Sequence, residues 1–157
     1  MENLILYDLV ISQKNILDDF LVAKGFVPKV EVKKDPDADL LCIEFDKSNH
    51  SVWIYLIFCG TNYYKVETNS FGISIWQPNL KQSLGIDLDK FVQKHPDLGS
   101  IEMFSLNYYT GTIEEKIRSC FEFIVKVLSQ PELLRVYEGD YYTNEYYKPW
   151  YEGNNLD

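Results

Sequence analysis

The chain has 157 residues, a formal net charge of −9 and an aromatic content of 15% that includes 12 tyrosines. That length suits one domain, 1–157, with a core of its own. The acidity repels phosphate backbones, which sets nucleic acid aside as a direct ligand and favours a basic protein as partner, although solubility alone would account for the same charge. Cys42, Cys59 and Cys120 lie in apolar settings without a C-x-x-C pair, the pattern of buried reduced thiols in a cytoplasmic protein. The amino terminus lacks the positive n-region of a signal peptide, and no apolar run has the length of a membrane span.

In chain order, Leu6, Leu9, Val10, Leu17, Phe20 and Leu21 follow a helical spacing and predict one long helix over 6–24, stopped by Gly25. Val30 and Val32 alternate with charged residues and predict a short edge strand, followed by a turn at Asp35-Pro36-Asp37. A strand is expected over 40–45, a turn at Asp46-Lys47-Ser48-Asn49, and then the most apolar stretch of the chain, Val52 to Cys59. Eight apolar or aromatic residues in a row suit a strand covered on both faces, or covered on one while the other awaits a ligand or partner. Further strands are expected over 63–68 and 71–76, with Gly60-Thr61-Asn62 turning between the first of them and Cys59.

A loop over 78–85 then leads to Asp87, placed to cap a short helix that Pro96 ends. A strand is expected over 101–108. Thr112 and Glu115 have capping-box spacing at the head of a helix whose apolar stripe is Ile113, Ile117, Cys120, Phe121, Ile124, Val127 and Leu128. Pro131 ends that helix or opens a short helical turn through Leu134. The sum is an α+β fold, an antiparallel meander sheet of about five to six strands with N-terminal and C-terminal helices packed on one face.

Side chains alternate along a strand. Leu41, Ile43, Phe45, Val52, Ile54, Leu56, Phe58, Tyr64, Val66, Ile73 and Ile75 should therefore meet the helices. Cys42, Glu44, Trp53, Tyr55, Ile57, Tyr63, Lys65, Glu67, Ser74 and Trp76 should face the other way. Rigid aromatic side chains beside a few charges match the composition of recognition surfaces. The carboxy-terminal segment 137–157 holds six more tyrosines and Trp150. It is too aromatic for a solvated tail and is expected to be ordered, either covering the second sheet face or extending it. The candidate partner-binding residues are thus Glu44, Trp53, Tyr55, Tyr63, Glu67, Trp76, Asp140, Tyr142, Glu145, Tyr146 and Trp150.

No Gly-rich phosphate loop, G-x-S-x-G or H-E-x-x-H occurs. His50 and His95 follow turns and suit surface positions, and two histidines with three unpaired cysteines do not make a zinc site. Asp35, Asp37 and Asp39 have an acidic alternation but lack the glycine and distal glutamate of a calcium loop. No cofactor is expected. The first expectation is a non-enzymatic protein-binding module, at its most concrete a bacterial immunity-type inhibitor that masks a basic toxin, by analogy of charge and composition. Homodimer formation is compatible with it. The alternative is a small-molecule binder with an apolar cavity lined by Phe58, Tyr64 and Phe121. An enzyme using Glu44 and Glu67 as an acid/base pair ranks last.

Overall fold

A computed structural model describes residues 2–34, 39–47, 52–59, 69–77 and 84–137. Two helices, α1 (Glu2–Gln13) and α2 (Asn15–Val22), precede four strands, β1 (Val27–Lys34), β2 (Asp39–Lys47), β3 (Val52–Cys59) and β4 (Ser70–Gln77). A short strand β5 (Leu84–Asp87) runs directly into α3 (Leu88–Lys94). Two 3-10 turns, Ile101–Phe104 and Leu106–Tyr108, lead to α4 (Ile113–Leu128) and α5 (Pro131–Tyr137). The five strands pair in sequence order, each antiparallel to its neighbour. This is the expected α+β meander.

Alternation decides the two sheet faces. Leu41, Ile43, Phe45, Ile54, Leu56, Phe58, Phe71, Ile73, Ile75 and Ile86 form the inward face and are all buried. They share one apolar cluster with Tyr7 and Val10 of α1, Leu17 and Leu21 of α2, and the stripe of α4. Ring contacts tie the layers together. Tyr7 meets Phe58 edge-on at 5.9 Å between centroids, Phe58 meets Phe71 at 4.7 Å, and Phe71 meets Phe121 of α4 at 5.2 Å. Burying a side chain of this size contributes about 1.5–3 kcal/mol. The rings at the sheet–helix interface therefore carry a large share of the stability.

Gly25 acts as expected. At φ +93 it adopts the left-handed conformation that closes α2, with Phe26 N–H donating to the Leu21 carbonyl at 3.1 Å and Gly25 N–H to that of Val22 at 3.0 Å. Thr112 Oγ1 accepts from Glu115 N–H at 3.2 Å and caps α4. Cys42 and Cys120 are buried, and burial pushes the Cys120 thiol up to about 12, which keeps it protonated and inert.

Several elements differ from expectation. The long amino-terminal helix is two helices, because Ser12 Oγ donates back to the Leu9 carbonyl at 2.7 Å and a turn at Lys14 follows. Lys14 then pairs with Asp18 across the first turn of α2. β1 is eight residues long, and the loop expected over 78–85 gives way to β5 at Leu84. The strand expected over 101–108 is the pair of 3-10 turns. Ser105 Oγ accepts from Asn107 N–H at 3.2 Å and Ser100 caps the first turn, so local bonds replace a ladder, leaving one bridge between Ser70 and Ser105.

In α4, Ile113 is exposed. Phe123, outside the predicted stripe, is buried against Phe104 at 5.0 Å, because the 3-10 turns cover that flank of the helix. The strand expected over 63–68 lies outside the described residues; β3 pairs directly with β4.

Candidate functional site

The outward sheet face is assembled by register. Reading across the strands, Lys29 of β1 stands opposite Glu44 of β2, Glu44 opposite Tyr55 of β3, Tyr55 opposite Ser74 of β4, and Ser74 opposite Asp87 of β5. A polar row thus crosses all five strands. On one side of it, Asp46 faces Trp53 and Trp53 faces Trp76. On the other side Glu31, Cys42, Ile57 and Gly72 follow in line.

Trp53, Tyr55 and Trp76 are all half-buried. The Trp53 and Tyr55 rings meet edge-on, with centroids 6.5 Å apart and planes at 85°. This geometry holds the aromatic groups rigidly, which lowers the entropy lost when a partner covers them.

The acidic groups are held as tightly. The Tyr55 hydroxyl donates to the Glu44 carboxylate, which pushes the phenol up to about 12 and keeps it protonated as a donor throughout the physiological range. Asp46 shares a hydrogen bond with Glu44 only while one of the two carboxyls carries a proton. Burial above all, and then the neighbouring Glu44 charge, hold its carboxyl above the usual carboxylate range, with Lys29 pulling the other way. Asp46 Oδ1 is buried without a hydrogen-bond partner. Beside this group lies a small hollow of about 60 Å³ lined by Lys29, Glu31, Cys42, Glu44 and Tyr55. At the far edge, Ser74 Oγ donates to Asp87 Oδ1 at 2.7 Å.

Four of the predicted site residues, Glu44, Trp53, Tyr55 and Trp76, therefore come together on one face. Tyr63, Glu67, Asp140, Tyr142, Glu145, Tyr146 and Trp150 lie outside the described residues, and with them the expectations for the carboxy-terminal segment and for a Glu44–Glu67 pair. The sequence reading missed Lys29, Asp46 and Asp87. Asp46 reads as a turn residue in the sequence, although its spacing of two from Glu44 puts both carboxylates on the same face of a strand. Asp87 precedes α3 as expected but makes no side-chain cap bond; its carboxylate turns to Ser74 instead.

Of the proposed cavity lining, Phe58 and Phe121 are fully buried in the cluster of packed rings, and Tyr64 lies outside the described residues. His95 joins two helices. Its Nδ1 is 2.9 Å from the Phe91 carbonyl, its Nε2 3.1 Å from Glu132 Oε1, and its ring stacks on Phe91. Among the described residues no group of three His, Cys, Asp or Glu side chains is placed to hold a metal ion, and no helix is long and apolar enough to cross a membrane. Comparison with protein-family models, curated proteins and solved structures finds no match to this chain.

Proposed function

We propose that the protein is a non-enzymatic binding module that engages a basic protein through the outward face of its sheet. Its most concrete form is an immunity-type inhibitor that masks a basic toxin in the cytoplasm. The observation that carries this reading is the half-open aromatic group of Trp53, Tyr55 and Trp76, set beside Glu44 and Asp46 on a rigid sheet. Large aromatic side chains with a polar edge supply most of the binding energy in protein interfaces. A net charge of −9 would speed encounter with a positive surface and suppress binding to acidic competitors. Nucleic acid is disfavoured by the same charge.

Affinity capture from a lysate of the native host, followed by mass spectrometry, tests the reading. The wild type should retain a basic protein in a salt-sensitive manner, and Trp53→Ala/Trp76→Ala should lose it. An identical set of captured proteins for both would contradict it.

A further inference from the structure

β4 has eight residues and β5 only four, because the chain leaves the sheet at Asp87 to enter α3. β5 pairs with β4 from Ser74 to Gln77. Among the described residues, Phe71, Gly72 and Ile73 thus have no strand partner on that side, up to the bridge at Ser70. The space so left is a cleft of about 320 Å³, continuous with the outward face through Gly72, Ser74 and Asp87. Ligand sites run from about 300 to 1,000 Å³, so this one suits a single long side chain better than a cofactor.

Gly72 is the telling residue. A glycine inside a strand weakens it, and the fold does not demand one here. Its φ is not among the positive values, and a Cβ built on it would meet no atom within 4 Å. What the missing side chain preserves is an open floor. Ile101, 41% exposed, and Phe104 form an apolar wall. Asp87 and Asp89 stand at the end near α3, and the lining contains no cation. Lys90 is 3.9 Å from Asp87 Oδ2, a separation at which a solvated pair contributes little. Its backbone N–H occupies Asp89 Oδ1 at 2.8 Å.

Resting on the protein-binding reading above, we propose that this cleft receives an arginine side chain of the basic partner. The aliphatic stem lies along Ile101 and Phe104 above Gly72, and the guanidinium reaches Asp87 and Asp89. The planar fork of arginine matches a carboxylate in a way an ammonium group does not.

The test is a titration of the isotopically labelled full chain, followed through its amide resonances, with Nα-acetyl-arginine amide and with the neutral isostere Nα-acetyl-citrulline amide. The arginine derivative should give saturable shifts at Gly72, Ser74, Asp87 and Asp89, with the citrulline derivative at least tenfold weaker. Gly72→Leu, which fills the floor and leaves both acids in place, should abolish them, and Asp87→Asn/Asp89→Asn should weaken them at least tenfold. Absent shifts, equal shifts with citrulline, or shifts unmoved in Gly72→Leu would overturn the proposal. Partner capture that depends on Trp53 and Trp76 but is unchanged in Gly72→Leu would overturn it as well, while leaving the protein-binding reading in place.

Discussion

Trp53 on β3 and Trp76 on β4 are direct cross-strand partners on the outward face of the sheet, and both stay half-buried. Cross-strand aromatic pairs stabilise a sheet by only about 0.2–1 kcal/mol. Trp53→Ala and Trp76→Ala should each lower the thermal midpoint by a few degrees at most while leaving the fold intact. Thermal unfolding followed by circular dichroism checks this. A collapse comparable to that of a core variant would mean that the pair is structural.

The inward rings set the opposite scale. Phe121 is fully buried and packs against Phe71 with the ring planes tilted at 49°, and truncating a core phenylalanine costs about 3–5 kcal/mol. Phe121→Ala should therefore remove much of the stability of the domain in a denaturant titration, several times the effect of either tryptophan substitution.

Asp46 makes a prediction in pH. Its carboxyl is raised above the ordinary 3.8, by burial first and then by Glu44. A group whose folded value is raised favours the folded state when protonated. Its contribution is complete at pH below 3.8 and is lost as pH rises through the folded value. Once ionised, the carboxylate beside Glu44 is a liability. Asp46→Asn should raise the melting temperature at pH 7, and the gain should vanish toward pH 3. A gain independent of pH, or a loss at pH 7, would contradict the assignment.

Gly72→Thr should stabilise the fold by about 0.4–1 kcal/mol, since a Cβ meets open space at ordinary backbone angles and a β-branched residue suits the strand. The shift in urea midpoint measures it. A loss would show that the glycine serves the fold and not the cleft.

Much of this architecture was legible in the sequence. Val52–Cys59 declared itself as a strand, and simple alternation assigned Ile54, Leu56 and Phe58 to the core and Trp53 and Tyr55 to the other side, as found. Gly25 and the Thr112–Glu115 spacing marked helix ends because each has a specific backbone job. Legibility failed where one residue type serves two purposes. Asp46 and Asp87 carry turn and cap chemistry, yet the register places both on the outward face. The segment 101–108 has apolar residues at strand-like intervals, but Ser100 and Ser105 satisfy its backbone locally. No local pattern could show that β5 would be half as long as β4, and that difference opens the cleft.

The most direct measurement is the affinity of the captured basic partner for the wild type and for Trp53→Ala/Trp76→Ala, by calorimetry at fixed ionic strength. Losing one dominant aromatic anchor costs about 2 kcal/mol or more, which is about thirtyfold in the dissociation constant. The double substitution should cost at least that much. Two folded proteins that bind the partner equally well would contradict it.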